Sequence, residues 1–112
     1  MKKTFSSIDK SEFRGVVRHI DKLGRICVPK EFRISLKLNH NDMLKLFIYA
    51  DGVLLRLENE TSDGVWDAIH PIDKLGRMSI PQAMRRKLGI NVLDNIEIFL
   101  LKNGLFIRKA KS

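Results

Sequence analysis

The sequence contains little of what marks secreted and membrane proteins. It has 112 residues and one cysteine, Cys27, which excludes an intramolecular disulfide and points to a cytoplasmic protein. No apolar run approaches the roughly 18 residues of a membrane span, and the polar residues that follow Met1 do not form the apolar core of a signal peptide. We therefore expect a cytoplasmic globular protein with no membrane partner, in which Cys27 is a small buried hydrophobic residue.

The sequence also lacks the groupings of residues that mark enzymes and metalloproteins. Its three histidines and one cysteine show no metal-ligand spacing. It has no glycine-rich phosphate loop, no nucleophile elbow and no paired carboxylates in a plausible cleft. We expect no metal, no cofactor and no enzymatic activity. The single tryptophan, Trp66, is expected to fill the core or a sheet edge rather than to stack on bases.

What the sequence does contain is an internal repeat. Residues 20–25 and 72–77 both have the sequence Ile-Asp-Lys-Leu-Gly-Arg, and 14 of 38 aligned positions are identical between the two copies. Such a repeat indicates one supersecondary unit used twice. A unit of this size would have only a marginal core of its own, so we expect the two copies to fold against each other as one intertwined domain. The predicted segments are an N-terminal arm (1–14), a first unit (15–57), an acidic linker (58–66) and a second unit (67–112).

Each unit is predicted to contain two short strands, a helix and a hairpin. In the first unit β-branched and apolar patterns predict strands at 15–20, 26–28, 43–50 and 53–57, and a helix from Pro29 to about Leu38. The pairs Asp51-Gly52 and Asn103-Gly104 are strong hairpin signals. Because both faces of the first hairpin are apolar, the hairpin needs cover on both sides, which the other unit could supply. The predicted fold is mainly β with short helices.

Positive charge is distributed equally between the copies. The chain has a net charge of +8, and residues 15–57 and 67–109 each hold eight Lys and Arg against four Asp and Glu. A matched basic excess favours a polyanion contacted twice, with nucleic acid as the leading candidate. Solubility is the alternative explanation of the charge.

The first unit opens with a motif that resembles a known family. Residues 15–33, Gly-Val-Val-Arg-His-Ile-Asp-Lys-Leu-Gly-Arg-Ile-Cys-Val-Pro-Lys-Glu-Phe-Arg, resemble the AbrB/MazE/SpoVT family of swapped-hairpin DNA-binding domains. The resemblance covers residues 15–57 and extends to 67–109 through a second Asp-Lys-Leu-Gly-Arg-Met-Ser-Ile-Pro. In that family two units, one from each chain of a dimer, interleave their hairpins. The resemblance implies two tandem AbrB-like β-β-α-β-β units, interleaved within one chain as a pseudo-dimeric barrel.

The resemblance also implies a set of DNA contacts. The family uses arginines on the first strand, on the turn after glycine and at the start of the helix. Arginine suits this role because its planar fork donates two parallel hydrogen bonds to phosphate or guanine. The copies differ, since Arg18 is matched by His70 and Arg86 is matched by Ile34. With the two turn lysines added, the predicted DNA-binding residues are Arg18, Lys22, Arg25, Arg33, Lys74, Arg77, Arg85 and Arg86.

The sequence therefore predicts a sequence-preferring double-stranded DNA-binding protein that regulates transcription, and three alternatives stay open. The turn arginines could instead pair with Asp21 and Asp73, which we expect to cap their own turns. A MazE-type antitoxin is the second alternative, but only three residues follow the last aligned position, so we expect no toxin partner unless the first fourteen residues substitute. A protein-interaction module is the third, and Arg25 and Arg77 on opposite faces would favour it. Self-association is left open.

Overall fold

The computed structural model describes residues 15–57 and 66–111, and it is mainly β with two short helices. The predicted arm and all of the predicted linker except Trp66 lie outside the described residues. Both repeats contain the same elements in the same order. These are β1 (Val16–His19), β2 (Arg25–Cys27), α1 (Lys30–Ser35), β3 (Met43–Tyr49) and β4 (Gly52–Leu57), then β5 (Ala68–Pro71), β6 (Arg77–Ser79), α2 (Gln82–Leu88), β7 (Asn95–Leu101) and β8 (Gly104–Lys109).

The strands form two antiparallel sheets to which both repeats contribute. The large sheet has the order β1-β7-β8-β4-β3-β5, and β2 pairs with β6 in a separate two-stranded ribbon. The first strand of each repeat adds to the hairpin of the other, because β1 pairs with β7 and β5 pairs with β3. The two hairpins meet where β4 pairs with β8. Among the described strands the large sheet is open, with β1 and β5 at its edges, whereas the resemblance implied a closed barrel.

One apolar cluster joins the ribbon, the helices and one face of the large sheet. Ile26 of β2 lies opposite Met78 of β6, and each is 1% exposed. They belong to the same cluster as Leu44 and Leu46 of β3 and Met84 of α2. Burying an aliphatic side chain of this size stabilises the fold by about 1.5–3 kcal/mol. The ribbon is thereby held with one face on the core and the other towards solvent.

The first helix is shorter than the sequence predicted. It ends at Ser35 rather than near Leu38, because Lys37 adopts a left-handed conformation with φ of 56°. The corresponding residue after α2 is Gly89, with φ of 69°, in the position where glycine commonly ends a helix. The first helix is therefore followed by the same left-handed conformation as the second, although its sequence has lysine where the second has glycine.

One prediction about a single residue was wrong, and another is narrowed. Cys27 is exposed rather than buried, because the alternation of β2 turns Ile26 into the core and Cys27 away from it. Its Sγ lies 3.7 Å from the carbonyl oxygen of Leu75 in the other repeat. Trp66 is 42% exposed and does not fill the core, but it lies beside the start of the edge strand β5, as the sheet-edge alternative has it. The Nζ of Lys45 lies 4.5 Å from its ring centroid in a cation–π contact. In the described part of the chain, neither helix is long and apolar enough to cross a bilayer.

Candidate nucleic-acid interface

The ribbon places the two turn arginines on one surface. Arg25 pairs with Ser79 and Cys27 pairs with Arg77, while Ile26 and Met78 between them face the core. Because side chains alternate along a strand, the outer four residues share the solvent face. Arg25 and Arg77 are diagonal neighbours across the ribbon, a spacing of about 7–8 Å. Arg25 and Arg77 on opposite faces would have favoured a protein-interaction module, whereas here they lie on the same face.

Each turn arginine is held by the aspartate that begins its turn. The Oδ1 of Asp21 accepts the backbone N–H groups of Leu23 and Arg25, at 2.9 and 2.8 Å, and its Oδ2 accepts the Nε of Arg25 at 2.8 Å. Asp73 holds Arg77 in the same way, with an Nε–Oδ2 distance of 3.0 Å. The predicted capping role of both aspartates is confirmed. The ion pairs that stood as the alternative to DNA contact are also present, but they engage only the Nε atom of each arginine. Within the described residues the Nη atoms of both arginines have no hydrogen-bond partner, so they stay available to a ligand.

The same contacts keep both carboxylates charged. Partial burial raises the pKa of Asp21, but the hydrogen bonds from the backbone and side chain of Arg25 and from Leu23 outweigh it, and the pKa is lowered overall. For Asp73 the backbone N–H of Arg77 has the largest effect, and the pKa is again lowered. An ionised aspartate positions the Nε edge of its arginine and leaves the Nη edge of the guanidinium for other acceptors.

The helix arginines cross from one repeat to the turn of the other. Gly24 has φ of +81°, and a Cβ added to it would lie 2.8 Å from an Nη atom of Arg85. Gly76 has φ of +80°, and its Cβ would lie 2.6 Å from the Cζ of Arg33. Each guanidinium is fixed there by its Nε, which donates to the carbonyl of Ile80 at 2.9 Å in one case and to that of Val28 at 3.0 Å in the other. Both turns therefore need glycine for two reasons, the backbone angle and the close approach of an arginine.

The exchange gives the interface two ends, each built from both repeats. The first end is the Asp21–Gly24 turn together with α2, and the second end is the Asp73–Gly76 turn together with α1. Backbone hydrogen bonds support this arrangement. The segment after α2 holds Ile20 by two bonds of 2.8 and 2.9 Å, and the segment after α1 holds Ile72 by two bonds of 2.7 and 3.0 Å.

The other predicted DNA-binding residues lie on the surface around these ends. Lys22, Lys74 and Arg86 are exposed, and so is Arg18, which lies three residues before the first turn and donates through Nη1 to the carbonyl of Val17 at 2.9 Å. The eight predicted residues are therefore divided unevenly. Arg18, Arg25 and Arg77 are counted with the turn that each flanks along the chain. The first end then carries Arg18, Lys22, Arg25, Arg85 and Arg86, and the second end carries Arg33, Lys74 and Arg77.

Two exposed apolar residues at the tips of the turns have no predicted role. Leu23 and Leu75 are 71% and 63% exposed, and the turn aspartates fix their backbone N–H groups. The sequence feature that could have identified them is an apolar residue inside a polar turn, at the same position in both repeats.

The second end also has a polar cleft of about 230 Å³ between Arg33 and Lys74, with His40 in its wall. Among the described residues, no group of three His, Cys, Asp or Glu side chains could hold a metal ion.

Part of the sequence is similar to two proteins of Bacillus subtilis (strain 168). Stage V sporulation protein T is 44% identical over 41 residues, which is 37% of this chain and 23% of that protein. Abh, a protein named for transition state regulation, is 40% identical over 42 residues, which is 38% of this chain and 46% of Abh. The chain therefore matches less than half the length of these curated relatives. No protein-family model matches the sequence.

The fold is similar to a solved structure over most of the chain. The solution structure of PHS018 from Pyrococcus horikoshii aligns with a TM-score of 0.53 and 18% sequence identity, covering 88% of this chain and 96% of that one. At this identity the likeness shows a shared fold alone. The sequence similarity to the two Bacillus proteins supports a relationship to AbrB-family regulators over about the length of one repeat.

Proposed function

We propose that this protein is a DNA-binding transcriptional regulator, built as a single-chain pseudo-dimer of two AbrB-like swapped-hairpin units. Its DNA-contacting surface is the solvent face of the β2–β6 ribbon with the two ends beside it. The observation that carries the proposal is the placement of Arg25 and Arg77 on the same face of that ribbon, each with its Nη edge available. The names of the partial relatives, a sporulation protein and a transition state regulator, support a regulatory role.

A two-stranded ribbon is a suitable element for contacting duplex DNA. The major groove admits a two-stranded β-ribbon, and an arginine fork matches the O6 and N7 acceptors of guanine. Because Asp21 and Asp73 hold the arginine Nε atoms in place, less side-chain freedom is lost on binding. Lys22 and Lys74 at the exposed turns would contact phosphates, which position the protein on the duplex without specifying sequence. Affinity of this kind falls steeply with salt concentration.

Removing the two ribbon arginines tests the proposal. The Arg25→Ala/Arg77→Ala variant should stay folded, since exposed ion pairs contribute only about 0–1 kcal/mol each. Its affinity for a duplex selected from a random-sequence pool should fall at least about thirtyfold, at about 1–3 kcal/mol for each lost base contact. Gel shift over a series of salt concentrations measures both the affinity and its salt dependence, and circular dichroism checks the fold.

A control variant removes the same charge elsewhere. Arg56 lies on the face of the large sheet that points away from the core, since it alternates with buried Leu55, and Lys102 is exposed in the turn between β7 and β8. The Arg56→Ala/Lys102→Ala variant should bind the same duplex almost as well as the wild type. Equal losses in the two double variants would mean that total charge, not the ribbon face, governs binding. Unchanged affinity of a folded Arg25→Ala/Arg77→Ala variant would refute the proposal.

A further inference from the structure

We infer that the two ends of the DNA-contacting face are unequal, and that the protein binds an asymmetric duplex in one preferred orientation. The first end, with the first turn and α2, contacts the better-specified half-site. This inference rests on the proposed DNA-binding function and adds to it the form of the target and the direction in which the protein lies on it.

The inequality arises because turns and helices are exchanged between the repeats. Arg85 of the second repeat lies against Gly24 of the first, and Arg33 of the first lies against Gly76 of the second. Each end therefore combines the turn of one repeat with the helix of the other. The two repeats contain equal numbers of the predicted DNA-binding arginines, because each repeat has one arginine at a position where the other repeat has a different residue. The two ends contain unequal numbers of these arginines, because both of the unmatched arginines, Arg18 and Arg86, belong to the first end.

The residues that replace these arginines at the second end are poor substitutes. Arg18 in β1 corresponds to His70 in β5, which is half-buried beside Leu44 of β3. Arg86 in α2 corresponds to Ile34 in α1, whose side chain is 66% exposed and offers DNA neither charge nor a donor. Arginine keeps its charge at any cellular pH and presents five donors in a planar fork. The first end therefore has two more groups able to bind phosphate or base edges than the second.

The inequality has no evident structural purpose inside the protein. Within the described residues the Arg18 side chain bonds only to the carbonyl of its neighbour Val17, and the Arg86 side chain makes no hydrogen bond or ion pair. Contact with a polyanion that is itself asymmetric gives both arginines a role.

The test compares the wild type with a variant in which one arginine changes ends. Ile34→Arg combined with Arg86→Ile leaves the net charge unchanged and gives each end four of the cationic positions. Both sites are exposed, so the fold should tolerate the exchange. Each protein is used to select duplexes from a random-sequence pool, and the affinity for its own selected duplex is measured over a series of salt concentrations.

A second variant separates the two ends further. Ile34→Arg combined with His70→Arg adds an arginine at both deficient positions of the second end and leaves the first end untouched. It should bind its selected duplex at least about fivefold more tightly than the wild type binds its own, and its salt dependence should steepen, because two more cations displace counterions from the DNA.

We expect the wild type to select a motif with one well-defined half and one weakly defined half. The exchange variant should select a motif closer to a palindrome at unchanged salt dependence, and the variant with two added arginines should select a palindrome with both halves well defined. A palindromic motif from the wild type, or asymmetry that persists unchanged in both variants, would overturn this inference while DNA binding stands. Recovery of no preferred duplex by the wild type would overturn the proposed function, and this inference with it.

Discussion

Replacing Gly24 with alanine tests the contact that joins the repeats at the first end. The φ of +81° at Gly24 costs an L residue about 1–2 kcal/mol, and the added Cβ would lie 2.8–3.1 Å from the guanidinium of Arg85. The guanidinium can move aside, but only by giving up the hydrogen bond from its Nε to the carbonyl of Ile80, worth about 1 kcal/mol. We expect Gly24→Ala to lower the free energy of unfolding by about 2–3 kcal/mol, measured by urea denaturation followed by circular dichroism.

Gly89 provides the matched control. It has φ of +69°, but nothing lies within 4 Å of an added Cβ, so Gly89→Ala should cost only the backbone part, about 1–2 kcal/mol. A double-mutant cycle isolates the contact itself. When Arg85→Ala has already removed the guanidinium, Gly24→Ala should cost about 1 kcal/mol less than it does in the wild type. Equal losses at the two glycines, together with an additive cycle, would refute the reasoning.

Two further predictions concern the same face. The pKa values of Asp21 and Asp73 in the folded protein lie below the ordinary value of 3.8, so on acidification the unfolded chain binds protons before the folded protein does. The stability that these two aspartates contribute is therefore complete above about pH 4, and it is lost as the pH falls through their lowered pKa values. The Asp21→Asn/Asp73→Asn variant should lose stability less steeply between about pH 4 and pH 2 in urea denaturation, and an acid profile parallel to that of the wild type would contradict this. Cys27, exposed between the arginines, should react more slowly with a maleimide when a selected duplex is bound; equal rates with and without the duplex would show that DNA does not cover the ribbon.

Local chemistry allowed most elements to be predicted from the sequence. Asp21-Lys-Leu-Gly24 predicts a turn because aspartate can accept the N–H groups that follow it and glycine can take positive φ, and both features are present. The Asp51-Gly52 and Asn103-Gly104 pairs mark hairpins for a similar reason, and both hairpins form. Where the local signal was missing the prediction failed, as at Lys37, which ends α1 in a conformation that usually calls for glycine.

The arrangement of the two ends could not be predicted in this way. It depends on the pairing of β2 with β6 and on the position that this gives each helix beside the opposite turn, and such contacts join residues about fifty positions apart. The short run Ile26-Cys27-Val28 was apolar throughout, so alternation could not be assigned and the exposed position was missed. The exposed leucines at the turn tips were missed for the opposite reason, since an apolar residue in a turn has no periodic neighbours to show that it faces solvent.

The two copies within the chain can also be compared with each other, position by position. The residues that form the exchanged contact are identical in both copies: the turn aspartate, the turn glycine, the turn arginine and the helix arginine. Each makes a hydrogen bond or a close approach that the fold requires. At the positions that differ, Arg18 against His70 and Ile34 against Arg86, no side-chain hydrogen bond to the opposite repeat is found among the described residues, although β1 and β5 pair with the other hairpin through their backbones. In a symmetric dimer any change at these positions would appear at both ends at once. In a single chain each copy can change separately. Because each end contains residues of both repeats, one difference in each repeat is enough to place two unmatched arginines at the same end.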